Sequence, residues 1–332
     1  MPAPAAPRVS VVVPAKDAAD VVADALVSLT RQGLAPGELQ VVLVDDGSSD
    51  GTGEVAAAFA PRLPGLTVVR HDRALGLASA RNSGLAHATG RYVTYLDADD
   101  WLAPGHLAHL AGALDALRCS FVRTDHTTVE GRERVLRRAP EARRDVVLDP
   151  RGSILPSEHS TMVDYPYAWA GMYDRALATD GLLTFPDGLH TAEDRPWVWR
   201  LHLHAHAYAV VDSPGVRYRR GSATSLTQVV DSRQLHVVPA FERVVGLVAA
   251  DREADRWWPK VARTVVAVGS HHLRRAGRMT PSDRRALRVG VGRLVRSLPQ
   301  DVVAAELERA DDERRRLVRR AVRAAREGEV AA

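Results

Sequence analysis

Residues 91–105, RYVTYLDADDWLAPG, run apolar through Val93 and Leu96 and then set Asp97, Asp99 and Asp100 within four positions. Carboxylates this close repel one another, so they all stay ionised only where positive charge offsets them; otherwise one takes a proton. A divalent cation resolves the conflict. Mg²⁺ and Mn²⁺ favour oxygen ligands, and one or two carboxylates together with substrate phosphates complete the shell. An isolated D-x-D is more often a solvated turn or a helix cap, but here a second acidic strand end, VDDGSSDGT at 44–52, has the same form. In it Asp45 leaves an apolar run, Gly47 and Ser48 make a tight turn, and Thr52 is placed to cap a helix whose first turn holds Glu54. An aspartate at such a strand end can accept hydrogen bonds from a base or ribose. A third acidic pair, Glu193 and Asp194 in TAEDRPW, offers a general base for a hydroxyl, a role that requires hydrogen-bond reach of its proton. Adjacent residues of a helix face different ways, so the two cannot share one role. The competing account of that segment is a helix start in which Thr191 caps and the acids favour the helix dipole.

The elements that must carry these residues alternate. RVSVVVPA (8–15), LQVVLVDD (39–46), LTVVRH (66–71), RYVTYLDAD (91–99) and CSFVRT (119–124) are short β-branched runs. Between them lie helical patterns: Val22, Ala25, Leu26 and Leu29 share a face in 17–32, and Leu107, Leu110, Leu114 and Leu117 do so in 104–117. Strands apolar on both faces, alternating with helices, predict an α/β fold with a mostly parallel central sheet and helices on both faces. Ligands of such sheets bind beyond the carboxyl ends of the strands, where Asp45, Asp46, Asp97 and Asp99 fall. Residues 125–168 lose the pattern and read as hairpin and loop. Further on, 171–181 reads as a strand end and short helix, 192–204 as a helix, and 207–211 and 215–219 as strands. Beyond 232 the chain is helical, with Thr280 capping a helix that begins at Pro281. The expected division is a catalytic domain over 1–232 and a helical region over 233–332.

Composition narrows the class. An apolar fraction of 45% and a charged fraction of 26% in 332 residues belong to an ordinary globular protein. No apolar run is long enough to span a bilayer and MPAPAAPR lacks a signal-peptide core, so a cytoplasmic location is expected. Cys119 is the single cysteine, which excludes an internal disulfide and a cysteine-based zinc site, and it reads as a packed strand residue. His202, His204 and His206 alternate in LHLHAHA, but on a helix only the first and last share a face and nothing nearby completes a zinc site. Gly47, Gly51 and Gly53 do not match G-x-G-x-x-G and no P-loop occurs, which disfavours a dinucleotide oxidoreductase and a P-loop ATPase. Residues 251–332 hold 20 basic and 12 acidic side chains, a local charge of +8. Such a segment can meet an anionic polymer, nucleic acid or the inner membrane surface. All but two of the 45 basic residues are arginine, which also fits a codon bias.

VSVVVPAKDAADVVADALVSLTRQ, VVLVDDGSSDGT, GLASARNSGLAHATGRYVTYLDADD and TAEDRPWVWRL stand in the order and spacing of family 2 inverting glycosyltransferases of the GT-A fold, and the chain resembles that family over 8–225. The resemblance implies transfer of a sugar from a nucleoside diphosphate donor, most often UDP, to a hydroxyl, with Mn²⁺ or Mg²⁺ as cofactor. It implies that Pro14, Ala15, Asp17 and Asp45 surround the nucleobase, that Asp97 and Ala98 meet the donor and Asp97 the ribose, and that Asp99, with Asp97 beside it, holds the metal. Asp17 stands where the family more often has glutamate. Asp194 occupies the family's base position, with Glu193 as a neighbouring contact. Arg81 could give the diphosphate a fork of donors, or could be an ordinary exposed helix arginine. The segment VRYRRGSATSLTQ corresponds to the one that closes over the donor, where the family often has a histidine; Arg219, Arg220 and Ser222 are the substitutes at hand. Trp197 is the expected acceptor contact, set against an ordinary core role.

TAEDRPWVWRL, SLT and VARTVVAVGSHHLRRAGRM are also similar to bacterial transferases that add N-acetylglucosamine to wall teichoic acid. That likeness implies a C-terminal region that oligomerises, and a basic tail suits a polyanionic glycan acceptor or contact with the inner membrane face; nucleic acid is disfavoured. Two rivals stay open at this level. One is a nucleotidyltransferase, which needs the metal carboxylates but not Asp194, and the other is a non-catalytic binder of nucleotide sugar or anionic polymer.

Overall fold

A computed structural model describes residues 6–221 and 231–330. The chain begins with β1 (Val9–Ala15), α1 (Val22–Leu29), β2 (Leu39–Asp45), α2 (Thr52–Ala57), β3 (Leu66–Arg70), α3 (Leu77–His87) and β4 (Tyr92–Tyr95). These are the expected βα alternations, and β1, β2, β3 and β4 pair in parallel. All seven residues of β1 are buried, as a central strand covered on both faces requires. The helix expected over 17–32 starts only at Val22, because Asp17 adopts a left-handed backbone at φ 47°. Then come β5 (Trp101–Leu102), α4 (His106–Leu117), β6 (Phe121–Glu130), β7 (Glu133–Arg137), β8 (Gly171–Asp174), α5 (Asp194–His204) and β9 (Tyr208–Arg219).

Among the described residues the nine strands form one sheet in the order β3-β2-β1-β4-β8-β6-β9-β5, with β7 beside β6. It is mostly parallel by register; β8 enters antiparallel between β4 and β6, and β6 runs parallel to β9. The two strands expected at 207–211 and 215–219 are one, since the ladder to β6 shifts register near Thr124 and absorbs the intervening Ser-Pro-Gly without ending. Strand order reverses between β1 and β4, which opens a crevice beyond their carboxyl ends. α3 lies close over β1: a Cβ on Gly84 would stand 2.2 Å from Val12 Cγ1. That close approach carries Arg81, one turn earlier on α3, down to the end of β4.

The remaining helices are α6 (Val237–Ala249), α7 (Ala254–Arg275), α8 (Pro281–Arg296), α9 (Gln300–Arg309) and α10 (Asp312–Val330). Thr280 caps α8 as expected, its hydroxyl accepting the Asp283 N–H. Two compact units divide the chain. The first contains the sheet with α1–α4; the second contains these C-terminal helices together with Ser153–Asp164 and Leu189–His202. The helical unit thus takes two earlier segments as well as the C-terminal region. Lys260 on α7 is fully buried within it and reaches the Asp164 carboxylate and the His159 carbonyl, so the first of those segments is held by a buried ion pair. Leu287, Val291, Leu294 and Val295 of α8 are buried and pack with the Val318, Ala321 and Ala325 face of α10. Cys119 is buried and unbonded to another cysteine. No helix of the described residues is long and apolar enough to cross a membrane.

Candidate active site

At the end of β4 the chain turns through Asp97 to Asp100, the Asp100 N–H bonding the Asp97 carbonyl at 3.0 Å. The Asp97 carboxylate accepts from Arg81 Nη2 at 3.0 Å. Arg81 is a buried side chain, 4% exposed, and its guanidinium lies 5.1 Å from the Phe185 ring. The exposed-arginine account is therefore excluded. Asp99 is half-buried; loss of hydration, then the neighbouring Asp97 charge, push its carboxyl up to about 6. Asp100 is fully buried and raised well above the usual carboxylate range by burial and by both neighbours. Its Oδ1 accepts the Arg219 N–H at 2.7 Å, while its Oδ2 has no donor among the described residues.

The three aspartates do not act alike. Asp100 is turned inward to β9, and among the described residues no three His, Cys, Asp or Glu side chains form a cage for a cation. Asp97 and Asp99 remain at the crevice as oxygen donors, one of them costly to ionise without a counter-charge. This donor set fits a divalent ion that draws the rest of its shell from phosphate and water.

Arg219 differs from expectation. Its Nε donates to the Asp99 carbonyl at 2.8 Å, its Nη2 to Asp24 at 2.6 Å, and its guanidinium stacks 4.9 Å from the Trp101 ring. These partners hold its Nε and Nη2 against the aspartate turn and Asp24, where a diphosphate contact was expected. Arg220 is exposed, with its guanidinium 5.9 Å from the Tyr218 ring. Ser222 lies outside the described residues.

Pro14 and Ala15 end β1 in register with Val44 and Asp45. Asp17 is exposed; Lys16 and the Ser49 N–H, which donates at 2.9 Å, hold its carboxyl below the usual range. Asp45 is 0% exposed: its Oδ1 accepts the Ser48 N–H at 2.9 Å and its Oδ2 faces Arg70 at 3.5 Å. With no exposed surface, it organises the strand-end turn where a base contact was expected. Thr52 is the first residue of α2 and not its cap, which is Gly51; its hydroxyl accepts the Ala18 N–H at 2.8 Å and ties the two loops together. Asp46, expected only as one of the strand-end acids, accepts the Leu75 and Gly76 N–H groups at 2.8 Å each and lies 2.7 Å from His71 Nδ1. It fixes the loop leading into α3. Gly47, at φ 67°, must be glycine, since a Cβ there would meet Arg73 and Ala74 backbone at 2.7 Å.

An aromatic group stands in the same unit and has no local sequence signal. Tyr167 and Trp169 stack at 4.8 Å, Trp169 and Tyr218 lie 5.2 Å apart, and His126 packs edge-on against Trp169 at 4.9 Å. Burial, then the Asp100 and Asp97 charges, push the Tyr218 hydroxyl up to about 12, so it stays protonated beside the aspartate turn. His126 is pushed down to about 4 by burial and stays neutral. The Tyr165 hydroxyl donates to the Thr124 carbonyl at 3.0 Å and so accepts from His126 Nδ1–H at 2.5 Å.

In the helical unit Asp194 opens α5 and is partly exposed, while Glu193 is buried. Ala192 before them has a left-handed φ of 60°, a strained conformation for a non-glycine residue. The Thr191 hydroxyl donates to the Arg233 carbonyl at 2.7 Å, and the His190 N–H donates to His236 Nδ1 at 2.8 Å. Trp197 and Trp199 are 0% exposed, so the acceptor contact expected at Trp197 is corrected to a core role. His202 is buried and His206 exposed beyond the end of α5, and neither joins a metal-binding group among the described residues.

Comparison with known proteins accords with this arrangement. The glycosyl transferase family 2 profile matches residues 10–174. The chain is 28% identical over 260 residues to the uncharacterized glycosyltransferase EpsJ of Bacillus subtilis (strain 168), covering 74% of this chain and 73% of that protein; further curated relatives are matched over about a third of their own length. Among solved structures, S. aureus TarS 1-349 in complex with UDP-GlcNAc superposes with a TM-score of 0.75 at 20% identity, over 97% of this chain and 92% of that one. The mannosyltransferase PcManGT from Pyrobaculum calidifontis, in complex with GDP-Man and Mn²⁺, gives 0.53 at 20% identity, over 97% and 86%. With these likenesses added to the acidic strand ends of a GT-A sheet, the chain is a glycosyltransferase that carries a family 2 domain.

Proposed function

We propose that this protein is a metal-dependent inverting transferase that moves a sugar, N-acetylglucosamine in the first instance, from UDP to a hydroxyl of a glycan or cell-wall polymer. The observation that carries this reading is the Asp97–Asp99 pair at the strand-end crevice, where burial, then the Asp97 charge, raise Asp99 to about 6. A solved neighbour bound to UDP-GlcNAc and another bound to GDP-Man and Mn²⁺ support the choice of donor and ion.

In this mechanism the ends of β1 and β2 and the Asp17 loop receive the base, and Asp97, oriented by Arg81, accepts from the ribose. Asp97 and Asp99 would hold a divalent ion, which when bound would supply positive charge against that on the leaving diphosphate. Asp194 takes the proton from the acceptor hydroxyl as its oxygen attacks the anomeric carbon and the carbon–phosphate-oxygen bond breaks. Tyr167 and Tyr218 offer ring faces on which a sugar can stack.

The test is Asp194→Asn. Turnover of UDP-N-acetylglucosamine with a hydroxyl acceptor should fall about 10²–10⁴-fold, while Mn²⁺-dependent binding of UDP, read by calorimetry, stays at the wild-type value. Undiminished turnover removes Asp194 as base; failure of wild type to bind any nucleotide sugar with Mn²⁺ or Mg²⁺ overturns the reading itself.

A further inference from the structure

The helical unit contains a cavity of about 80 Å³ that no step of the transfer chemistry uses. This is room for several waters and hence for a phosphate group. Leu273 and Ala276, at the end of α7, and Leu317 of α10 form its apolar part; Arg284 and Arg288 of α8 and Arg320 of α10 supply its polar part.

The three arginines are not equivalent. Arg284 donates through Nε to the Ala276 carbonyl and through Nη2 to the Gly277 carbonyl, both at 3.2 Å, and so closes the carbonyl end of α7. Arg288 lies four residues on, on the same face of α8. Neither Arg288 nor Arg320 has a carboxylate or carbonyl partner among the described residues. Three acids near the cavity are engaged elsewhere: Asp283 with Thr280, Asp312 with Arg315 and Glu313 with Arg274. Guanidinium groups that line one cavity with no carboxylate beside them leave their donor forks open to an oxyanion, whose geometry they match.

We propose that Arg288 and Arg320, with Arg284 at the edge, form a binding site for a phosphate group of a phosphodiester or polyphosphate chain. A polymer fits better than a lipid surface, because the apolar stripe of α10, Val318, Ala321 and Ala325, is wholly buried and leaves no apolar face for a bilayer. The site rests on its own geometry. Where the transferase reading also holds, it would retain a phosphate-bearing acceptor.

The experiment uses the full chain and fluorescently labelled inorganic polyphosphate, followed by anisotropy across a salt series. The double variant R288Q/R320Q should bind at least about tenfold more weakly, with the slope of log affinity against log salt reduced by about one for each arginine removed. The control R285Q/R316Q, which removes two exposed arginines of the same helices outside the cavity, should retain most of the affinity. Equal losses in the two variants, or none in the first, would overturn the proposal. Binding confined to phosphatidylglycerol vesicles, with none to polyphosphate, would overturn the polymer assignment. Both substituted side chains are exposed, so the melting temperature should hold. Metal-dependent UDP binding by the same samples reports on the transferase reading separately: its absence in wild type would sink that reading and leave this site standing.

Discussion

Asp99→Asn tests the chemistry of the aspartate turn through stability as well as activity. In the ligand-free protein the Asp99 carboxyl is raised from 3.8 to about 6, so holding it ionised in the folded state costs up to about 3 kcal/mol. The sign follows from linkage. A carboxyl whose folded value lies above its unfolded value destabilises the fold above about pH 6 and has no effect below about pH 4, where it is protonated in both states. Asparagine removes that cost, so the ligand-free variant should be more stable than wild type at pH 7.5, by a melting-temperature rise of a few degrees. The difference should shrink to nothing as pH is lowered to 4. With Mn²⁺ and UDP present the order should reverse, because only wild type gains stability from binding. Scanning calorimetry at pH 4, 6 and 7.5, with and without Mn²⁺ and UDP, measures all of this. Equal midpoints at pH 7.5, together with undiminished metal-dependent stabilisation of the variant, would refute a role for Asp99 as a strained, cation-seeking carboxylate.

Two further substitutions separate positioning from packing. Arg219→Ala should weaken Mn²⁺-dependent UDP binding at least about tenfold, since it releases the Asp99 carbonyl and Asp24; with a side chain 28% exposed it should cost little in urea-midpoint stability, and unchanged binding by calorimetry would return Arg219 to a passive surface role. Trp197→Ala should cost about 3–5 kcal/mol in urea unfolding, as expected for a wholly buried indole; an unchanged midpoint with a raised acceptor KM would instead reinstate it as an acceptor contact.

The parallel strands β1 to β4 and the helices between them were legible because their signals are local. Strands buried on both faces read as unbroken β-branched runs, and helices repeat their apolar residues every three or four positions. The same locality placed the aspartates at strand ends. β7 was indistinct because it is an edge strand with mostly exposed side chains, so its composition carries no alternation. α5 misled because tryptophan reads alike whether it packs or binds, and only burial on the folded chain assigns Trp197 to the core.

What the sequence determined by itself is therefore the strand–helix alternation and the crowding of Asp97, Asp99 and Asp100, since adjacent carboxylates repel in any fold. Tertiary structure decided how that repulsion is divided: Arg81 comes down to Asp97 from α3, Asp100 turns to the backbone of β9, and Asp99 is left to be offset from outside. It also paired Arg219 with Asp24, 195 residues away, and brought Tyr167 and Trp169 of one segment together with Tyr218 of another into one aromatic wall. Contacts of this kind depend on strand order and crossing, and no periodicity along the chain encodes them.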